Sequence, residues 1–361
     1  MTDLRPRSIE IIRAAQAQSG AYPACQEFPT YRYCWFRDGA FIAHAMDVVG
    51  EHASARRFHL WAATTIIAES DVVERALNKI RAGKELNHDD YLHTRYGIDG
   101  LPAADGEWPN FQLDGFGTWL WALGNHLATS TERNTVLVDA AELTAEYLAA
   151  LWKMPCYDCW EEFPDQVHPH TLAAISAGLN AHQNMDSADH QGEIAAITAF
   201  LNKTAVVDGA FIKSIGTPNI DASLLGLATP YAVVDRDDPR MKKTVGMIES
   251  DLMAGGGVHR YGADTFYGGG EWVLLTAWLA WHHRLGGNYD RANALLDWVE
   301  RQADSDLLLP EQVPANLNDP AFYPDWRERW GDIAKPLLWS HAMYLLAESA
   351  SITTHSDFPR P

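Results

Sequence analysis

The stretch 289-YDRANALLDWVER-301 contains the pattern that decides the fold class. Ala292, Leu295, Leu296 and Val299 recur at positions i, i+3, i+4 and i+7, which places them on one face of a helix. An apolar face at this spacing is typical of a helix packed against a core. The stretch therefore predicts an amphipathic α-helix.

The same spacing recurs along most of the chain. It predicts further helices at residues 8–17, 40–50, 56–68, 117–128, 136–147, 172–179, 189–201, 240–253, 271–285 and 336–349, and one near 222–228. Since no stretch shows sustained period-two alternation, a major β-sheet is not expected. These patterns predict an all-α protein of about twelve helices.

Longer segments rich in Gly, Pro, Trp and Asp separate these helices. They lie at residues 20–38, 99–116, 154–170, 254–270 and 306–335. Loops of this length in a compact domain are usually functional, because a rigid scaffold can aim their side chains into one site. As no low-complexity linker divides the chain, we expect residues 1–361 to form a single domain with these loops gathered at one end.

The charge of the chain excludes several classes of partner. Asp and Glu number 48 against 28 Lys and Arg, for a formal charge of −20. Such a surface repels nucleic acids, anionic membranes and acidic substrates, so a small neutral substrate is expected. The 14 Trp, 13 Tyr and 12 Phe residues fit either an aromatic core or stacking on the flat faces of sugar rings. Composition does not separate these two.

No feature of the sequence predicts a metal or a cofactor. The histidine pairs 168/170 and 282/283 lack supporting ligands, and one CxxC at 156–159 is a weak signal. The glycines at 268–270 lack the strand-then-helix context of a phosphate-binding loop. Since no signal peptide or transmembrane run is found and the four cysteines fit reduced thiols, the sequence predicts a cytoplasmic location. It does not indicate an oligomeric state.

The loops contain paired polar groups beside aromatic rings. Arg37 and Asp38 are either a helix-start arrangement or a donor and an acceptor for sugar hydroxyls. Glu161 and Glu162 follow Trp160 and are either a solvated acidic turn or the setting of a general acid, because burial and a like charge would raise the pKa of one carboxyl. Glu311, in a proline-flanked loop, is well placed to hold a water. The residues alone leave these alternatives open.

The loop motifs, taken together, resemble those of glycoside hydrolase family 15, the glucoamylase and glucodextranase family. The matching stretches are YRYCWFRDG, WPNFQLDG, DCWEE, HRYGADTFYGGGEW, LPEQ and PLLWSHA, in the family's order across about residues 20–350. The resemblance implies an (α/α)6 barrel and inverting hydrolysis by two carboxyl groups. It makes Glu161 the general acid and Glu311 the general base, with their carboxyl groups roughly 6.5–9.5 Å apart.

The resemblance also implies the sugar-binding residues. Arg37, Asp38 and Arg260 would hold the terminal glucose, Tyr31 would support the base, and Trp108 would lie across the scissile bond. The substrate-binding set implied in full is Tyr31, Trp35, Arg37, Asp38, Trp108, Trp160, Glu162, Arg260 and Trp339.

These motifs do not define which linkage is cleaved, because they form the subsite for the terminal glucose and not the subsite for the aglycone. The chain starts almost directly with the barrel, without the extra domains of many relatives, and so resembles the short isomaltose-type members. Small α-1,6-glucosides such as isomaltose are therefore the expected substrates, and the enzyme is expected to release β-glucose from their non-reducing ends. Alternatives are an α-1,4-acting glucoamylase, a trehalase, an inverting phosphorylase, or a catalytically silent sugar-binding relative.

Overall fold

The computed structural model describes residues 3–104, 108–128, 134–186 and 188–350. Residues 105–107 of the predicted loop 99–116 lie outside the described residues. The α-helices are α1 (Leu4–Ala15), α2 (Phe36–Val48), α3 (His52–Ala68), α4 (Ser70–Arg81), α5 (Asp114–Ala128), α6 (Thr135–Leu151), α7 (Pro169–Asp186), α8 (Gln191–Thr204), α9 (Pro239–Asp251), α10 (Val273–Leu285), α11 (Tyr289–Arg301), α12 (Tyr323–Trp330) and α13 (Leu338–Ser349).

Short strands and 3₁₀ turns occupy parts of the long loops. The strands have two residues each: β1 (Cys34–Trp35), β2 (Arg95–Tyr96), β3 (Val206–Val207), β4 (Ala210–Phe211), β5 (Met253–Ala254), β6 (Gly257–Val258), β7 (Glu271–Trp272) and β8 (Gln312–Val313). β1 pairs with β2, β3 with β4, and β5 to β8 form one antiparallel sheet. The 3₁₀ turns are Pro29–Tyr31, His88–Asp90, Ala222–Leu227, Phe266–Gly268 and Pro320–Phe322.

Six inner elements form a closed ring. α2 packs against α5, α5 against α7, α7 against the 3₁₀ turn Ala222–Leu227, that turn against α10, α10 against α13, and α13 against α2. The outer layer contains α1, α3, α6, α8, α9 and α11, each in contact with an inner element. The predicted (α/α)6 barrel is therefore confirmed.

The two layers differ in how much of each helix is buried. In α10, the ten residues 273–282 are all buried, as expected of an inner helix apolar on every side. In α11, only Ala292, Leu295, Leu296, Trp298 and Val299 are buried, so the apolar stripe predicted there faces the core.

Glycine allows α5 and α7 to approach closely. A Cβ on Gly117 would lie 2.6 Å from a backbone atom of Ala174, and one on Gly178 would lie 2.6 Å from the Gly117 carbonyl oxygen. Any larger side chain at either position would push these inner helices apart.

Some helices differ from the sequence-based expectation. The helix expected near 222–228 is a single 3₁₀ stretch, and α4 was not predicted because only Val73, Ala76 and Leu77 of its residues are buried. α12 lies inside the predicted loop 306–335 and has no buried residue. All four cysteines are buried and unpaired, as expected. Among the described residues, no helix combines the length and apolarity that crossing a bilayer requires.

Candidate active site

The predicted site residues gather where inner helices α2, α5, α10 and α13 begin. Two strand pairs hold the preceding loops there: Trp35 of β1 lies opposite Arg95 of β2, and Trp272 of β7 lies opposite Gln312 of β8. Since Gln312 follows Glu311, the second pairing places the loop that carries Glu311 beside the start of α10.

Glu161 lies in the loop between α6 and α7. Its φ of 67° is in the left-handed region, which is unusual for a residue with a side chain and is often found at functional sites. Its Oε1 accepts hydrogen bonds from Trp35 Nε1 at 2.7 Å and Gln112 Nε2 at 3.0 Å. Both donors hold one carboxylate oxygen in a fixed position.

A buried ion cluster supports this loop. Asp158 Oδ1 accepts from the backbone N–H groups of Trp160 and Glu162, each at 2.9 Å. Lys213 Nζ lies 2.9 Å from Asp158 Oδ2 and 2.6 Å from Asp221 Oδ2. These contacts fix the turn on both sides of Glu161.

Trp160 is tied to the same cluster, because its Nε1 donates to both oxygens of Asp221 at 3.1 Å. Its ring centroid lies 5.5 Å from that of Trp272, so the indole packs beside the start of α10.

Glu311 is held by its backbone on both sides. Its N–H donates to the Ala334 carbonyl at 3.0 Å, and its carbonyl accepts from the N–H of Val273 at 3.1 Å. The side chain is 4% exposed. Oε1 accepts from the Tyr31 hydroxyl at 3.0 Å, while Oε2 is buried without a hydrogen-bond partner.

Burial raises the pKa of Glu311 to about 8, although the hydrogen bond from Tyr31 and the charge of Arg260 lower it. Oε2 is thus a buried acceptor free to bind a water or a substrate hydroxyl.

Tyr31 and Trp35 connect the two carboxylates. Their rings meet edge to face with centroids 5.8 Å apart. Since Tyr31 donates to Glu311 and Trp35 donates to Glu161, the four side chains form one continuous chain of contacts. The two predicted catalytic carboxylates are therefore linked through two adjoining aromatic side chains.

Arg37 and Asp38 form a second polar group at the start of α2. Arg37 Nη1 donates to Gln112 Oε1 at 3.0 Å and Asp114 Oδ2 at 3.2 Å. Its Nε and the Oδ2 of Asp38 are buried without hydrogen-bond partners, 3.5 Å apart. The guanidinium lies 5.5 Å from the ring centre of Trp339.

The Asp38 carboxyl is strongly affected by this environment. Burial raises its pKa to about 6, with Arg37 lowering it and Glu161 raising it. A free donor beside a free acceptor is the arrangement that two adjacent sugar hydroxyls can satisfy.

Arg260 and Glu162 form a third group. Arg260 binds Asp264 through two hydrogen bonds, one of them 2.7 Å long, and its Nη2 lies 3.7 Å from Glu162 Oε1. Glu162 Oε2 accepts from the Tyr261 hydroxyl at 2.6 Å. Burial raises the pKa of Glu162, and Arg260 and Tyr261 lower it. The carboxyl next to Glu161 is thus engaged in an ion pair.

Trp108 lies beside Trp35, with ring centroids 6.0 Å apart. The guanidinium of Arg95 packs over its ring at 3.7 Å, and its Nε1 is buried without a partner. The ring is therefore held beside Trp35, whose indole N–H donates to Glu161.

Several residues at the site were not predicted from the sequence. Gln112 contacts both Glu161 and Arg37. It lies within the motif WPNFQLDG, so the sequence could have identified it as a site residue. Lys213 and Asp221 lie in a stretch without a motif, and only the buried contact with Asp158 reveals their role. All the predicted site residues lie within this connected set of contacts.

The fold brings together three potential metal ligands that the sequence did not predict. Asp47, His59 and His126 are the one such group found among the described residues. Asp47 and His126 lie at the C-terminal ends of α2 and α5, away from the predicted catalytic carboxylates, and His59 lies in α3.

Residues 6–299 match the family model for glycosyl hydrolases family 15. The isomaltose glucohydrolase of Kribbella flavida is 39% identical over 355 residues, which cover 95% of this chain and 91% of that protein.

Solved structures agree in fold. A glycosidase in complex with glucose superposes with a TM-score of 0.91 at 37% identity and covers 95% of each chain. A bacterial glucoamylase complexed with acarbose gives 0.76 at 19% identity, covering 96% of this chain and 55% of that one, and shows likeness of fold alone.

Proposed function

Because the chain belongs to the glycosyl hydrolases of family 15, we propose that it is an inverting exo-α-glucosidase with Glu161 as general acid and Glu311 as general base. The observation that supports the proposal is the chain of contacts that links the two carboxylates through Trp35 and Tyr31.

In the proposed reaction, Glu161 donates a proton to the glycosidic oxygen as the bond to the anomeric carbon breaks. Glu311 removes a proton from a water that attacks this carbon from the opposite face. The leaving sugar departs as a neutral alcohol and the released glucose has the β configuration. The free Oε2 of Glu311 is the acceptor that this water needs.

The polar groups around the pocket support binding of a chain end. Arg37 Nε and Asp38 Oδ2 lie 3.5 Å apart and both lack a hydrogen-bond partner, and Arg260 is held by Asp264. Sugar hydroxyls would complete these hydrogen bonds. A binding site built from such groups would admit a terminal glucose rather than the middle of a polymer.

We propose isomaltose and short α-1,6-linked oligomers as the substrates. The 39% identical relative is named for hydrolysis of isomaltose, and the negative charge of this chain favours a neutral sugar. Initial rates on isomaltose, maltose and trehalose, with and without phosphate, test this assignment. A higher kcat/KM for maltose or trehalose would replace it, and dependence on phosphate would indicate a phosphorylase.

The anomer of the product tests the mechanism separately. Proton NMR during the first minutes should detect β-glucose before mutarotation. Early α-glucose would contradict inversion and leave the substrate class untouched.

The raised pKa of Glu311 is a property that a general acid also has, so the two roles need their own test. Fluoride leaves without needing a proton, and α-glucosyl fluoride therefore bypasses the acid. Glu161→Gln should lose on the order of 10²–10⁴ in kcat on isomaltose while retaining much of its activity on the fluoride. Glu311→Gln should lose activity on both, and the opposite pattern would exchange the roles.

A further inference from the structure

Three side chains meet at the end of the barrel opposite the two glutamates. Asp47 lies in the last turn of α2 and His126 in the last turn of α5. His59 lies in the middle of α3. At 1.5 Å per residue, Asp47 is about 13 Å along the helix axis from Asp38. This group is therefore separate from the proposed active site.

The contacts among these side chains are close. One ligand atom from each of Asp47, His59 and His126 lies within 4.8 Å of the others. His126 Nδ1 is 2.9 Å from Asp47 Oδ2, and the ring centroids of His59 and His126 are 4.9 Å apart. His52 Nδ1 is 2.9 Å from the other oxygen, Asp47 Oδ1.

His59 needs an explanation that the barrel itself does not supply. It is 0% exposed, and both of its ring nitrogens lack a hydrogen-bond partner. A polar group buried without a partner is costly and uncommon in folded proteins. Its neighbours at this point are another imidazole and a carboxylate, which together with His59 form a set of nitrogen and oxygen ligands.

We propose that Asp47, His59 and His126 bind a divalent transition metal, with Zn²⁺ the best match. Two imidazoles and a carboxylate are ordinary zinc ligands. The partial negative charge at the C-terminal ends of α2 and α5 favours a cation there. His52, whose side chain is 59% exposed, lies on the solvent side, where it orients the carboxylate and marks the entry path.

The ligands come from two inner helices and one outer helix. A metal at this point would cross-link α2, α3 and α5. Because the site is remote from Glu161 and Glu311, the bound metal stabilises the barrel and takes no part in hydrolysis.

The test uses the full chain without a histidine tag, stripped with dipicolinate and dialysed. Co²⁺ titration of the wild type should give one equivalent with visible d–d bands, which Zn²⁺ then displaces. Zn²⁺ should also raise the melting temperature. His59→Ala should lose both signals, whereas His88→Ala, an exposed histidine beside an acidic residue, should keep them.

The Co²⁺ titration of the wild type tests metal binding even if His59→Ala fails to fold. Asp47→Asn, which keeps the size of the side chain, provides a second ligand variant and should weaken Co²⁺ binding at least tenfold. Absence of Co²⁺ bands in the wild type would overturn the proposal, as would equal bands in wild type and Asp47→Asn. The group would then be a hydrogen-bonded Asp–His cluster only.

Discussion

Replacing Glu311 by glutamine should stabilise the protein at pH 8 and leave its stability almost unchanged at pH 4.5. The carboxyl is buried, and burial raises its pKa from 4.5 to about 8 in the folded chain. Between these two pH values the unfolded chain releases this proton while the folded chain retains it. Stability therefore falls as the pH rises through this window. Glutamine does not ionise, so the variant lacks this loss.

The size of the effect follows from the same two values. At 1.36 kcal/mol for each pH unit, the rise from 4.5 to about 8 corresponds to about 5 kcal/mol at pH 8. An unfolding entropy of about 2.1 cal/mol/K per residue over 361 residues converts this to about 6 °C. The amide oxygen of glutamine can still accept from Tyr31, so that hydrogen bond is retained.

Thermal melts of wild type and Glu311→Gln from pH 4.5 to pH 8.5 measure this effect. The difference in melting temperature should grow with pH and level off near pH 8. Glu142→Gln, at an exposed glutamate of α6, is the matched control and should follow the wild type. A difference between Glu311→Gln and wild type that is constant with pH would refute the reasoning.

Two further predictions concern the side chains that support the carboxylates. Tyr31→Phe removes a hydrogen bond that lowers the pKa of Glu311, so the acidic limb of the pH profile of kcat/KM should move to higher pH. An unchanged limb would show that Tyr31 does not influence the general base. Lys213→Met leaves two buried carboxylates unpaired and should lower the free energy of unfolding by about 3–5 kcal/mol and reduce kcat. The control Lys242→Met removes an ion pair whose two side chains are exposed, and it should lower the free energy of unfolding in urea by less than about 1 kcal/mol. Equal losses in the two variants would contradict a stabilising role for the buried Lys213 ion pairs.

Most of the helices could be predicted because their burial follows the helical period. The pattern at Ala292, Leu295, Leu296 and Val299 marks the buried face of α11. α4 was missed because few of its residues reach the core. No period in the sequence indicates that the fourth inner element, Ala222–Leu227, is only a 3₁₀ turn.

Some residues of the site could likewise be located from the sequence and others could not. Glu161, Glu311 and the aromatic residues near them lie in motifs, so resemblance could locate them. Lys213 and His59 could not be located, because a lysine in a turn-rich segment and a histidine in a helix are ordinary surface residues until their burial is known. Their importance comes from contacts with residues distant in sequence, which neither spacing nor composition predicts.

The direction of the inner helices explains where the polar groups lie. Asp38 is in the first turn of α2 and Asp114 begins α5, where the positive end of the helix dipole favours a carboxylate. Yet burial still raises the pKa of Asp38 to about 6, so the dipole and Arg37 together do not offset its desolvation. The ionised form of this carboxyl would be stabilised by any further hydrogen-bond donor. Hydroxyl groups of a bound sugar would supply that donor, and binding should therefore favour the ionised form of Asp38 and lower its pKa.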